Sequence, residues 1–216
     1  MPKDKRHKTW DYDDRAEAYD RVVAAGNPLY ERYAEVLEAV AGKAGVRPGM
    51  RVLDIGTGTG NLAGICLRRG AEVVGVDPSE AMLARARRKF AAEAGARFLQ
   101  VPDPFADLPF PDGSFDAVIS TYAFHHVPPP RKAKAIAEMF RVLAPGGRWA
   151  VGDLAFENVR AENGALRRFG WLEAEYFARI EELVPIFRAL GTELKTAQLT
   201  SVTWILWAGK PTIEKG

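Results

Sequence analysis

Binding chemistry is concentrated in Val52-Leu-Asp-Ile-Gly-Thr-Gly-Thr-Gly60 and in Asp77, which closes Glu72-Val-Val-Gly-Val-Asp77. Gly56, Gly58 and Gly60 lack Cβ atoms, so the backbone there can adopt positive φ and a ligand can lie against it. Free N–H groups of a helix beginning just beyond would face a negative group of that ligand. The Asp77 carboxylate is placed to accept both hydroxyls of a ribose. A dinucleotide fingerprint needs a third glycine or alanine two residues further on, but position 61 is Asn and the spacing is Gly-x-Gly-x-Gly. Asp54 would also set a carboxylate against a pyrophosphate, whereas it suits a ligand carrying an ammonium group. These residues together describe a nucleoside site that is not built for NAD.

The elements that must hold these residues follow from hydrophobic spacing. Residues 51–55 form a short β-branched apolar run and 62–67 resume at helical spacing, so the glycines sit in a strand-to-helix turn. Pro78 and Ser79 open a helix running to about 90, with Ser79 as its N-cap and Met82 and Leu83 facing inward. Strands are expected at 96–101, 115–120 and 149–153, with a helix over 131–143. Residues 10–24 and 28–44 read as two leading helices, 154–190 as helical, and 192–208 as a terminal hairpin. Open α/β sheets collect ligands outside the carboxyl ends of their strands, which puts Tyr122, His125 and His126 at the reacting centre. Asp103, between two prolines, is a candidate acceptor for an adenine amino group, with Asp107 as the alternative. Phe105 either closes over the ring edge or packs.

The chain has 216 residues, 47% hydrophobic, with a net charge of +2, which makes no electrostatic case for nucleic acid or an anionic membrane. Its basic start, Lys3 to Lys8, reads as a solvated tail. The single cysteine, Cys66, excludes an intramolecular disulfide, fits a reducing cytosol and reads as a packed core thiol. No cysteine or carboxylate company makes the histidines a metal site, so no metal is expected. No stretch suits a membrane span or signal peptide, so a soluble cytoplasmic protein is expected.

Strand, Asp54, Gly-x-Gly-x-Gly and Asp77 together resemble the class I S-adenosylmethionine-dependent methyltransferases. Leu108-Pro-Phe-Pro-Asp-Gly-Ser-Phe-Asp116, His125-His126-Val127 and Arg141-Val-Leu-Ala-Pro-Gly-Gly147 agree in type and order, over roughly residues 10–153. The span from Ser120 to His126, the segment Asp153-Leu-Ala-Phe-Glu-Asn158 and the stretch 176–190 are more narrowly similar to poorly characterised bacterial methyltransferases of the YrrT type. The resemblance implies an α/β, three-layer Rossmann-like fold with a seven-stranded, mostly parallel sheet whose last strand is antiparallel. A single domain is expected over 1–216, with cap helices to 45, a cofactor-binding core over 46–153, an acceptor-side insertion over 154–190 and the hairpin over 191–210. S-adenosyl-L-methionine would be the cofactor. Asp54, Gly56, Thr57, Gly58 and Asn61 would hold it on the glycine loop; Asp77, Pro78, Met82, Asp103, Phe105 and Thr121 would line it further on. Tyr19, from an opening motif ending Tyr-Asp, would lie near the sulfonium, while Trp10 either joins it or docks the helix. His126, which the resemblance favours over His125, and Tyr122 would serve at the transferred methyl; the residues alone do not separate the two histidines. Asp153, Trp171 and Tyr176 are substrate candidates.

The expected reaction is in-line methyl transfer to a small-molecule acceptor, leaving S-adenosylhomocysteine, by a monomer or homodimer. Alignment alone can lower such a barrier by roughly 7–11 kcal/mol, so a general base is optional. An Asn-Pro-Pro-Tyr type of motif is absent after the fourth strand, where Ser120-Thr-Tyr-Ala stands, which disfavours amide and nucleobase acceptors. The rival readings are a non-catalytic S-adenosylmethionine-binding regulator, an RNA methyltransferase lacking its usual basic face, and an NAD enzyme lacking the dinucleotide spacing.

Overall fold

The computed structural model describes residues 16–25, 27–172 and 175–212. Trp10 and the basic start lie outside the described residues. Buried apolar runs give the strands β1 (Arg51–Ile55), β2 (Glu72–Asp77), β3 (Ala96–Gln100), β4 (Phe115–Thr121) and β5 (Leu143–Phe156), all parallel to their neighbours among these five. A two-residue strand, β6 (Ala178–Arg179), pairs with the end of β5. The hairpin of β7 (Lys195–Gln198) and β8 (Thr203–Gly209) completes the sheet, with β8 antiparallel to both β5 and β7.

The order β3-β2-β1-β4-β5-β8-β7 turns back between β1 and β4, where Asp54 lies opposite Ile119. Carboxyl ends of strands at such a reversal leave a crevice, because the connections on either side run away from it.

Helices cover both faces because each presents an apolar stripe that must leave water. The helices α1 (Tyr19–Ala24), α2 (Tyr33–Lys43), α3 (Asn61–Arg68) and α4 (Glu80–Lys89) precede β3. Val36, Leu37 and Val40 of α2, Leu62 and Cys66 of α3, and Leu83 of α4 share one core. Across the sheet, α5 (Pro129–Val142) sets Ile136, Met139 and Phe140 into a second core with Trp149. Leu183 and Phe187 of α7 (Ile180–Ala189) join it. Trp149 is fully buried and donates its indole N–H to Met139 Sδ at 3.3 Å.

Two stretches differ from the spacing-based expectation. Residues 154–190 are not one helical block: β5 runs on to Phe156, and α6 (Val159–Arg168) and α7 flank an irregular segment that carries β6. Asn158 starts α6 by accepting from Ala161 N at 3.0 Å, a side-chain bond that competes with continuing β5. Residues 28–44 are likewise interrupted. Asn27 caps a 3₁₀ turn over Pro28–Tyr30, and Arg32, at φ +56, separates that turn from α2.

Gly152 of β5 is where α2 meets the sheet, since a Cβ there would lie 2.7 Å from Val40 Cγ2 and 2.8 Å from Val36 Cγ1. Gly152→Ala is expected to cost about 1–3 kcal/mol through overpacking. Urea denaturation measures this; an unchanged midpoint would show that α2 can move off the sheet freely.

Candidate active site

The glycine loop is shaped by its own backbone. Gly56 N and Thr57 N both donate to Val76 O, at 2.8 and 3.1 Å, and the three glycines have φ of +69, +54 and +80. At Gly56 a Cβ would stand 2.4 Å from Ala123 Cβ, and at Gly60 it would stand 2.8 Å from the Phe90 ring, whereas at Gly58 it would meet open space. Gly56 and Gly60 are therefore required by packing. Gly58 is the one with a free face.

Asp77 joins the loops after β1 and β2: Gly58 N donates to its Oδ2 and Ser79 N to its Oδ1, each at 2.9 Å. Ser79 Oγ caps α4 by accepting from Met82 N at 3.1 Å, and Met82 is buried. Pro78 O accepts from Gln100 Nε2 at 2.9 Å. Asp54 is buried behind the loop. Its Oδ2 accepts from Thr57 Oγ1 at 2.7 Å, while Oδ1 has no hydrogen-bond partner among the described residues. Burial, with Asp77 nearby, pushes the Asp54 carboxyl up to about 7.

Asp20 is a residue that sequence reasoning missed. Its Oδ1 accepts from Thr59 Oγ1 at 2.6 Å and Asn61 Nδ2 at 3.1 Å, and Lys89 Nζ stands 3.1 Å from Oδ2. Burial opposes ionisation, but these bonds outweigh it and hold the carboxyl below its ordinary value. The only signal was its place in the Tyr-Asp pair, of which Tyr19 alone was assigned. Asn61 thus serves as a latch point: it bonds Asp20, Lys89 and, at 3.3 Å, Tyr33 Oη. Above the loop four tyrosines converge. Tyr30 lies edge-on to Tyr19, Tyr33 and Tyr122 at ring separations of 6.0, 5.7 and 5.2 Å, and Tyr33 stacks on Tyr122 at 5.6 Å. Burial pushes the Tyr33 phenol up to about 12 and raises that of Tyr122 as well.

Beyond Thr121, Tyr122 takes φ +50, an uncommon left-handed conformation for a bulky side chain. Its buried hydroxyl, and that of buried Thr203, have no hydrogen-bond partner among the described residues. A 3₁₀ turn, Phe124–His126, follows. Asp153 grips it from β5: Oδ2 accepts from the backbone N–H of Ala123, Phe124 and His125 at 3.1, 2.7 and 3.2 Å. Buried Lys132 of α5 donates to Phe124 O at 3.0 Å; burial brings its ammonium down to about 7. His125 is buried, with Nδ1 2.5 Å from Asp153 Oδ1. His126 is half-buried, 3.8 Å from Glu175 Oε2, and burial lowers its pKa.

Not every sequence candidate converges on one point. Asp103 is engaged by Arg131 at the surface, and Phe105 is buried edge-on to Phe124 at 5.8 Å. Trp171 is exposed and packs on Phe169, while Tyr176 donates its backbone N–H to His125 O at 3.1 Å.

Comparison with known proteins agrees with this architecture. Residues 52–147 match the family model of a methyltransferase domain. An uncharacterised methyltransferase of Geobacillus kaustophilus is 34% identical over 214 residues, covering 93% of this chain and 96% of its own. The uncharacterised methyltransferase YrrT of Bacillus subtilis is 30% identical over 213 residues, covering 92% and 96%. Among solved structures, an S-adenosylmethionine-dependent methyltransferase from Aquifex aeolicus has a TM-score of 0.67 at 19% identity, covering 92% of this chain and 98% of its own, a likeness of fold.

Two predictions follow from the loop geometry. Gly56→Ala combines left-handed strain with a clash on Ala123 and is expected to cost about 2–5 kcal/mol, whereas Gly58→Ala, with open space, costs about 1–2. Equal losses in thermal denaturation would refute the distinction. Burial raises the Asp54 pKa from the ordinary 3.8 to about 7, so its contribution to stability is complete below the unfolded value and is lost as pH rises through the folded one. The wild type should therefore lose stability relative to Asp54→Asn between about pH 4 and 8. A pH-independent difference between the two urea curves would contradict the raised pKa.

Proposed function

The chain belongs to the class I S-adenosylmethionine-dependent methyltransferases, and from that premise we propose that its acceptor is a small molecule. S-adenosylmethionine is the methyl donor and, when bound, supplies an electrophilic methyl group on a sulfonium. The residues present fit this cofactor. Asp54 keeps an unpaired, buried carboxylate oxygen suited to an ammonium group, and Gly58 leaves a free face on the loop. Asp77, with about four lone-pair sites, can hold its loop and accept ribose hydroxyls together.

The observation that carries the small acceptor is the tyrosine roof. Tyr19, Tyr30 and Tyr33 come from the leading segment and meet Tyr122 at the carboxyl end of β4. A covered aromatic site admits a compact molecule, while a polymer needs an open, basic groove. In this reading the tyrosines exclude water and fix the acceptor in line with the methyl group, with Tyr19, Tyr122 and the turn that carries His125 and His126 beside the transfer.

Calorimetric titration with S-adenosylmethionine and S-adenosylhomocysteine, with NAD as control, tests the site. Both sulfur ligands should bind and NAD should not. Near pH 7 binding of the ammonium should release protons from Asp54, seen as a dependence of the heat on buffer ionisation enthalpy. Asp77→Ala should weaken binding by roughly 30-fold or more, because it leaves ribose hydroxyls unpaired. Wild-type affinity in that variant would sink the assignment. A screen of small hydroxyl, amine and thiol acceptors against bulk RNA then tests the acceptor class, and preferential methylation of RNA would overturn it.

A further inference from the structure

We infer that His125, backed by Asp153, is the proton acceptor of this site and that the group methylated is a hydroxyl, an inference that rests on the methyl transfer proposed above. Asp153 is fully buried, and four backbone N–H groups already satisfy it: those of Ala123, Phe124 and His125 on Oδ2, and that of Leu154 on Oδ1 at 2.7 Å. The contact to His125 Nδ1 at 2.5 Å is added to that complement. An ionised carboxylate only accepts hydrogen bonds, so Nδ1 is the nitrogen that carries a proton and the tautomer matched to Asp153 has its lone pair on Nε2. Nδ1 is thereby committed to Asp153, and Nε2, which is not among the buried side-chain atoms left without a partner, is the nitrogen open to an acceptor.

The turn carrying this ring is pressed against the cofactor loop, because Ala123 abuts Gly56. Its charged surroundings are specific. Burial alone would raise the Asp153 carboxyl, but His125 and the N–H groups hold it below its ordinary value. Lys132 from α5 is turned onto Phe124 O, with Glu182 of α7 acting on it, and the His126 ring lies 4.0 Å from that of His125. Tyr122 is on the same turn, and Glu175 faces His126 at 3.8 Å.

An amine attacks through its own lone pair and a thiol ionises readily, but a hydroxyl must shed its proton as the new bond forms. Here the hydroxyl proton passes to His125 Nε2, the oxygen pair forms the O–CH₃ bond, and the C–S pair stays with sulfur as the sulfonium becomes a thioether. The imidazolium then releases its proton to water.

Long-range ¹H–¹⁵N spectra of the full-length protein, with and without S-adenosylhomocysteine, test this directly. The chain has three histidines, so His126→Gln and His7→Gln complete the assignment. At pH 8, His125 should show a protonated Nδ1 and the downfield shift of an unprotonated Nε2, and Asp153→Asn should lose that preference. An Nε2–H tautomer, or an imidazolium persisting to pH 9, overturns the inference. Should Asp153→Asn not fold, the wild-type spectrum decides. Binding of S-adenosylhomocysteine beside the wrong tautomer leaves the methyltransferase reading intact, whereas its failure to bind counts against that reading while the tautomer still reports on His125. With tyramine as probe acceptor, O-methylation supports the hydroxyl assignment and N-methylation overturns it.

Discussion

The loops after β1 and β4 meet at one steric contact, Gly56 against Ala123, and the site depends on it. A Cβ on residue 56 would lie 2.4 Å from that of Ala123, so the two loops can be neighbours only if one position carries no side chain. The sheet supplies the need for that closeness. Because the strand order reverses between β1 and β4, their carboxyl ends are adjacent, and whatever follows each strand must share the crevice. The glycine loop and the histidine turn are thereby brought together by topology and kept together by a missing methyl group.

Three buried aspartates on β1, β2 and β5 behave differently because their surroundings differ. Asp54 receives one hydroxyl bond, has one orphaned oxygen and is driven toward the neutral acid by burial. Asp153 receives four N–H bonds and an imidazole, and stays ionised in spite of complete burial. Asp77 has backbone N–H donors on both oxygens and ties two loops together. Removing a carboxylate from water costs several kcal/mol unless donors replace the solvent. The donor count therefore separates a carboxylate that holds structure from one with capacity left for a ligand. By that measure Asp153 is an anchor, while Asp54 keeps one oxygen uncommitted.

Ahead of α2, the leading segment is tied to the glycine loop by polar contacts as well as by packing. Asp20 gathers Thr59, Asn61 and Lys89, and the tyrosines follow it over the loop. Hydrogen bonds to a partly exposed carboxylate exchange readily with water, so such a segment can be held in place without being as permanent as a core helix. A methyltransferase must admit cofactor and acceptor and then shut out water, and a cover secured in this way suits both demands.

Local chemistry made much of this protein legible. The strand-to-helix turn and its positive-φ glycines follow from a few adjacent residues, because turn geometry is set within one strand–loop–helix unit. The α/β class, the Ser79 cap and the inward Met82 and Leu83 follow from periodicity for the same reason. Breaks at Arg32 and Asn158 were hidden, since a helical apolar pattern continues across both while a backbone angle and a side-chain cap interrupt it. Asp20, Tyr30 and Tyr33 went unread because their partners, Thr59, Asn61 and Tyr122, stand 28 to 92 positions away or are fixed only once the sheet forms. The two adjacent histidines show the limit most clearly. They have the same side chain and nearly the same sequence context, so the sequence determined that an imidazole stands at the end of β4. Only the tertiary structure decided that His125 is fixed on the buried Asp153 carboxylate, which reaches it from a neighbouring strand 28 residues further along the chain.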